Sequence, residues 1–412
     1  MTDQYTETTT QSWGQRLKNA VAGVLFGLVL FIGAFPLLWW NEGRAVDRIK
    51  ALDEGRRIVV EAPYANVDPN NNGKLVHISG GVTTDDVLKD SLFGVQEKAL
   101  RLKRVVEVYQ WKETSSTREE TNMGGSQTST TTYSYDKAWS PNLIDSGRFK
   151  HPEQHQNPAS KKYSDQNLDA KMNFGPYVLS RSFVGQIDNF EQYQLLQDNY
   201  DAMPENLRQS FTLDGNYYIS GDLANPQIGD VKIHFEIVRP TDISVIGKQN
   251  GNTIEPYSLQ SSSVAANAAP STSGIGGLLR SLDSSVQQSS QTIELLQVGI
   301  VGAEEMFAIA ARNNSLLTWG LRLLGCFIMW LGMRMILAPL TVFASFVPFM
   351  GTLADAGIGI IFGLVSLALS LLTIAVAWMF YRPVIGGALV IGAVVCFSSI
   401  AKRIGNAKQP VS

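Results

Sequence analysis

His151, Glu153 and His155 stand together in the stretch HPEQH. Two imidazoles four positions apart on one helical face can hold a zinc ion while a carboxylate serves as general base, which makes these three residues the candidate metal site. Pro152 and the Asn- and Pro-containing surroundings disfavour the helix such a pair needs, and the zinc-protease order sets Glu directly after the first His. A solvated loop is the competing reading. His77 and His234 sit mid-strand among β-branched or aromatic residues, where a hydrogen-bonded structural role is expected.

No G-x-S-x-G elbow, Walker loop or dinucleotide fingerprint occurs, and no two carboxylates are marked out as acid and base. Cys326 and Cys396 both fall in apolar segments, so neither a disulfide framework nor a thiolate zinc site is expected. A formal net charge of −3 leaves no basic surface of the kind nucleic acid requires. The expectation is a protein with no cofactor and no enzymatic activity. The alternative is a membrane-anchored, metal-dependent hydrolase built on His151, Glu153 and His155, or a ligand-sensing module.

A second polar cluster follows a long apolar run. In PLLWWNEGRAVDR, Pro36 to Arg48, paired tryptophans Trp39 and Trp40 give way at once to Asn41, Glu42, Gly43 and Arg44. Val21 to Trp40 carries no charge, is about the ~20 residues needed to cross a bilayer, and ends in an aromatic pair suited to the interface, with Gly43 as a helix terminator. A cleaved signal peptide is the rival, but its apolar core is shorter and ends in small residues.

Three more spans are expected at 316–337, 358–380 and 384–400, with 338–357 an interfacial or re-entrant segment broken by Pro339, Pro348 and Gly351. Arg322 and Arg334 lie near the ends of their span, where long side chains snorkel. Gly23 and Gly27, Gly359 and Gly363, and Ala388 and Gly392 are small-xxx-small pairs, which serve packing within one chain or self-association.

These spans define a multi-pass α-helical membrane protein with a large inserted α+β domain, mainly β, over 41–315. The helical extension AVDRIKALDEG leads into runs of strand character: RRIVVEA, KLVHISG, RLKRVVEVYQWKE, TTTYSYDKAW, GNYYISG and DVKIHFEIVRP. ISVIGKQNGNTIEPY reads as a hairpin turning at Asn250-Gly251. Helices are expected over Asn189–Asp198 and Ala303–Arg312, and TSSTREETNMGGSQTSTTT as a solvated hairpin tip.

Charge signals for sidedness conflict. Lys402, Arg403, Lys408 and Arg334 favour termini in the cytoplasm, whereas Arg44, Arg48, Lys50, Arg56 and Arg57 outnumber Arg16 and Lys18 and favour the reverse. Long loops translocate largely regardless of charge, so tails 1–20 and 401–412 are assigned to the cytoplasm and 41–315 to the far side. There Arg382, next to Pro383 in the turn after the third span, emerges on the side of Glu42; an ion pair between the two, or separate solvation of each, is expected.

Seven stretches stand out in order: LLWWNEGRAV (37–46), GKLVHISG (73–80), RLKRVVEVYQWKE (101–113), YSYDKAW (133–139), HQNPAS (155–160), LLTWGLRLLG (316–325) and AWMFYRPV (377–384). Through them the sequence resembles, over essentially its whole length, the transmembrane protein 43 (LUMA) family. The resemblance implies a four-span protein of the endoplasmic reticulum and inner nuclear membrane in eukaryotes, its large domain lumenal, or of the inner membrane with a periplasmic domain in bacteria. It also implies a scaffold that self-associates as a homo-oligomer in the lipid bilayer and organises other membrane proteins, with lamins and emerin as partners only in a eukaryotic member. The Ser/Ala-rich stretch near 261–290 and the short basic tail depart from the family pattern.

Overall fold

Val21 to Trp40 is the middle of one long helix, α1 (Trp13–Ile58), in a computed structural model that describes residues 3–259, 291–345 and 348–382, the last of these as backbone alone up to 358. Ser12 caps its start, accepting from Gln15 N at 3.3 Å, and Arg56 and Arg57 lie in its last turn, where cations suit the helix dipole. The helix does not stop at Gly43. A Cβ there would lie 2.8 Å from the Tyr381 ring, so glycine is needed for close approach of another helix and not for termination.

The expected helix at 303–312 and the span at 316–337 are likewise one element, α2 (Ala303–Ala344), with Glu304 and Glu305 favourably placed in its first turn. It continues through Pro339, against the interruption expected at 338–357, and α3 (Pro348–Tyr381) begins on a proline, a residue suited to a first turn. The end of α2 is held by its neighbour: Trp13 Nε1 donates to Val342 O at 3.0 Å, and a packed helix tolerates a proline that an isolated one does not. Among the described residues three helices are long and apolar enough to cross a membrane by length and composition, the apolar part of α3 running over Gly359–Tyr381. The expected span 384–400, with Pro383, Ala388 and Gly392, lies outside the described residues, as do 261–290 and the basic tail.

The principal strands of the two sheets are β1 (Asp3–Gln11), β2 (Leu75–Val82), β3 (Arg101–Thr121), β4 (Gln127–Ser140), β5 (Val231–Val238), β6 (Thr241–Asn250) and β7 (Leu295–Val298). One sheet has the order β1-β4-β3-β5, extended by Tyr217–Ile219 and Thr212–Asp214; the other pairs β2 with β6, and β6 with Thr253–Glu255 and β7. The Asn250-Gly251 hairpin forms as expected, with Gly251 at φ +60°. Elsewhere the strand and helix boundaries shift. RRIVVEA ends α1 and leaves only Val60–Glu61 as strand; Asn189–Asp198 holds the strand Glu191–Gln192 and the start of a helix, Gln197–Asp201.

β3 alternates where it crosses the domain: Leu102, Arg104, Val106, Val108 and Gln110 are buried and their neighbours are not. Beyond Trp111 the β3–β4 hairpin becomes a polar ribbon whose tip is only residues 122–126, much tighter than the sequence indicated. The N-terminal tail, expected as a separate cytoplasmic segment, lies along this ribbon as β1, with Asp3 opposite Tyr135 and Gln11 opposite Gln127. Its run of threonines with Tyr5 has the residue types that strands favour.

Phe93, Val106, Tyr218, Ile233 and Phe235 fill the core beneath the first sheet. Val76, Phe174, Phe183, Val245 and Ile254 fill the second. Leu52 of α1 and Phe307 of α2 join Leu75, Ile246 and Ile293, so the long helices enter the domain as structural members. This extension fixes the helix pair α1–α2 just where the polar cluster of PLLWWNEGRAVDR begins.

Candidate functional site

Glu42 lies on α1 one turn beyond Leu38, a residue that packs with Ala34 and Met329 in the apolar core of the helix bundle. Its side chain is 2% exposed. A carboxylate in such a place needs compensation, and three N–H groups supply it. Arg322 of α2 donates twice, Nε to Oε1 at 2.7 Å and Nη2 to Oε2 at 2.8 Å, and Trp378 Nε1 of α3 donates to Oε2 at 2.7 Å. The Arg322 guanidinium also lies 4.7 Å from the Trp319 ring and 5.6 Å from that of Trp378. One acid thus joins three helices.

A hydrogen-bonded layer continues from this pair toward the domain. Asn41 Nδ2 donates to Thr318 O at 3.1 Å, Arg44 donates to Asn314 Oδ1 at 3.0 Å and Thr318 Oγ1 at 3.1 Å, and Asn314 Nδ2 donates to Ala45 O at 3.0 Å. Asn314, Thr318 and Arg322 are spaced by four, so they form one stripe on α2 facing Asn41, Glu42 and Arg44. On the other side Trp39 contacts Phe380 and Tyr381 with ring centroids 5.0 and 5.9 Å apart, and Tyr381 covers Gly43. Trp40 is half-buried.

The pairing differs from the one expected. Arg382 is near, its guanidinium 6.0 Å from the Trp378 ring, but the ion partner of Glu42 is Arg322, which does not snorkel away. Arg322 is on the α2 face packed against α1, whereas Arg382 is the first residue after α3 and its backbone N–H closes that helix on Trp378 O at 2.8 Å. The four-residue polar repeat on an otherwise apolar helix is the sequence signal for Arg322. Replacing Trp378 with Phe keeps the ring and removes one donor to a buried carboxylate; a loss of about 1.5–3 kcal/mol in the unfolding free energy of the detergent-solubilised chain is expected.

The small-residue pairs divide. Gly27 sits where a Cβ would come within 2.7 Å of Met335 Cβ and 2.8 Å of Gly332 O, and Gly23 faces Met335, so the first pair serves packing within the chain. Among the described residues Gly359 has nothing within 4 Å of a Cβ position, and a Cβ on Gly363 would meet Trp330 at 3.9 Å.

HPEQH does not gather a metal site. The stretch is a turn, Glu153 is exposed, and both ring nitrogens of the buried His155 are engaged: Nδ1 donates to His151 O at 2.9 Å and Nε2 lies 3.0 Å from Asp3 Oδ2. His155 stacks on Tyr135 at 3.7 Å, while His151 turns toward Tyr5. Burial, and then the Glu113 carboxylate that accepts its O–H, push the Tyr135 phenol up to about 12. Among the described residues no group of three or more His, Cys, Asp and Glu side chains is placed to hold a metal ion. His77 is held between Glu61 Oε2 at 2.6 Å and Val301 O at 2.9 Å, as its mid-strand position predicts.

Asn157 in the adjoining HQNPAS stretch acts as a substitute strand. Its Oδ1 accepts from Trp111 N at 2.7 Å, and its Nδ2 donates to Trp111 O at 2.9 Å and Ile144 O at 3.1 Å. Asn157→Ala leaves a backbone N–H of β3 without that partner, with an expected loss of about 1–3 kcal/mol measured by urea unfolding.

Three of the stretches quoted above, 37–46, 316–325 and 377–384, supply Glu42, Arg322 and Trp378. The family model described as Transmembrane protein 43 matches residues 108–383. The chain belongs to the transmembrane protein 43 family. Transmembrane protein 43 of Homo sapiens is 30% identical over 381 residues, covering 90% of this chain and 87% of the relative, and that of Rattus norvegicus gives the same figures. The Transmembrane protein 43 homolog of Drosophila melanogaster is 28% identical, covering 92% of this chain and 94% of its own length. No solved structure matches. Membership of the transmembrane protein 43 family and the apolar helices together identify a membrane protein.

Proposed function

We propose that the protein is a non-enzymatic, multi-pass scaffold that self-associates and organises other membrane proteins, its β-rich domain on the extracytoplasmic side: periplasmic in a bacterial inner membrane, or lumenal in the endoplasmic reticulum or inner nuclear membrane. The observation that carries this reading is the closure of the Glu42 cluster. An ionised group among apolar helices is a functional site by default, yet here the carboxylate is enclosed by Arg322 and Trp378 of its own chain. Such a group holds helices together; it offers a substrate neither a nucleophile nor an open acceptor. The adjacent groove between α1 and α3, lined by Phe35, Pro36, Trp39, Leu372, Thr373 and Val376, is apolar and suits acyl chains or another helix.

Two measurements on the full chain test the proposal. Light scattering in detergent across a concentration series should show assemblies larger than a monomer, and cross-linking in native membranes should capture the chain with itself and with other membrane proteins. A monomer at all concentrations, with no cross-linked product, contradicts the scaffold. Stoichiometric zinc in the purified protein, lost on replacing His151 and His155, overturns it in favour of a hydrolase.

A further inference from the structure

Two more arginines follow Glu42 on α1, and both are served by neutral groups. Arg44 donates to Asn314 Oδ1 at 3.0 Å, Thr318 Oγ1 at 3.1 Å and Asn41 Oδ1 at 3.4 Å, and Arg48 donates through Nη1 to Thr292 O. The acids close by are engaged elsewhere: Glu42 with Arg322, Glu304 with Arg56, and Asp47 with the charge of Lys50. Among the described residues neither Arg44 nor Arg48 forms an ion pair. Both are half-buried, and the charge of Arg44 bears on Arg48. Like charges drawn together out of water are costly unless an anion joins them. Donors remain for one: Arg48 engages only Nη1 of its fork, and Arg44 Nε is buried with no hydrogen-bond partner among the described residues.

The place of the pair says which anion it meets. Spaced by four, the two share one flank of α1 about 6 Å apart, a separation that two long side chains can close around one phosphate. Trp40 ends the apolar run, and Arg44 and Arg48 stand about 6 and 12 Å beyond it along the helix. The headgroup layer of a bilayer is about 5–8 Å deep on each side of the hydrocarbon. Arg44 stands within it, and Arg48 reaches back to it on its aliphatic stem.

We propose that Arg44 and Arg48 together bind the headgroup phosphate of an anionic phospholipid. A zwitterionic headgroup would bring a further cation to a place that already holds two without an acid, so a lipid of net negative charge fits best. The bound phosphate completes the polar layer that Asn41, Asn314 and Thr318 leave short of negative charge. The inference rests on the reading of α1 as a membrane span in the multi-pass protein proposed above, and on neither self-association nor the side that holds the domain.

Titration of the full-length chain in a neutral detergent tests this, with dioleoylphosphatidylglycerol, dioleoylphosphatidylcholine or inorganic phosphate added at equal phosphorus concentration. Phosphatidylglycerol should raise the thermal midpoint and stay bound in native mass spectrometry, and the other two should do neither. Arg48→Gln, which spares the Asn314–Thr318 contacts, should weaken phosphatidylglycerol binding by about tenfold or more. Lys50→Gln removes the same charge from an exposed position about 200° round the helix and should weaken it by less than about twofold. An equal response to phosphatidylcholine would assign the effect to the apolar helices, an equal response to inorganic phosphate to a free anion, and equal losses at Lys50 and Arg48 to diffuse surface charge; each overturns the headgroup site. Alkaline carbonate washing of native membranes separates the premise from the site. A chain released without detergent contradicts the span itself, whereas a chain that is retained and then fails the titration contradicts the lipid site alone.

Discussion

Glu42→Ala lowers the stability of the solubilised chain by about 3–5 kcal/mol, the cost typical of leaving one member of a buried ion pair uncompensated. The guanidinium of Arg322 would remain between Trp319 and Trp378 without the acid that its Nε and Nη2 address. Arg322→Met is expected to cost about as much for the mirror reason. Replacing both together costs less than the sum, since neither leaves a buried charge behind. Thermal or denaturant unfolding in one detergent reads all three; a loss below about 1 kcal/mol in each single variant, the range of exposed pairs, would mean that the site is hydrated.

Gly332→Leu is the second large effect. A Cβ on Gly332 would lie 2.6 Å from Phe31 N and 2.8 Å from Gly27 O, both backbone atoms of α1, so no flexible side chain can yield. Overpacking typically costs about 1–3 kcal/mol, and this contact belongs at or beyond the upper end because two helices must separate. Their separation also draws Arg322, almost three turns before Gly332, away from Glu42. Gly359→Ala, placed where a Cβ meets no described residue within 4 Å, is the control and should not lower stability, since alanine favours a helix over glycine by up to about 1 kcal/mol. Because Ala and Leu both favour a helix over Gly, an equal loss at both glycines would show that the α1–α2 crossing does not set the cost.

The contrast between these sites shows which parts of the molecule were readable in the residues. Apolar runs, two of them free of charge, marked the three long helices because crossing a bilayer constrains composition at nearly every position. Alternation marked the inner half of β3, and Asn250-Gly251 marked the turn after β6, since both are local signals. Gly43 and Pro339 misled for a common reason: each carries a local tendency to end a helix, and packing against Tyr381 in one case and against α1 in the other prevails. HPEQH failed as a metal motif because its spacing has meaning only on a helix, and the chain there is a turn.

The partner of Glu42 was legible only in part. Its proximity to the end of the third span was correct, and Trp378 and Arg382 are both found there. Choosing Arg322 over Arg382 required knowing which face of α2 meets α1, and that is set by Gly27, Gly325 and Gly332 allowing the backbones together. The pairing of β1 with β4 joins residues more than a hundred positions apart, and Thr-rich composition alone names no partner.

A double-mutant cycle at Glu42 tests most directly the claim that this acid locks the three helices through Arg322. Glu42→Gln is combined once with Arg322→Gln and once with Arg382→Gln, and unfolding free energies are measured in one detergent. The Glu42–Arg322 pair should show a coupling of roughly 1 kcal/mol or more, while Glu42 and Arg382 should add within about 0.5 kcal/mol. Additivity with Arg322 and coupling with Arg382 would contradict it.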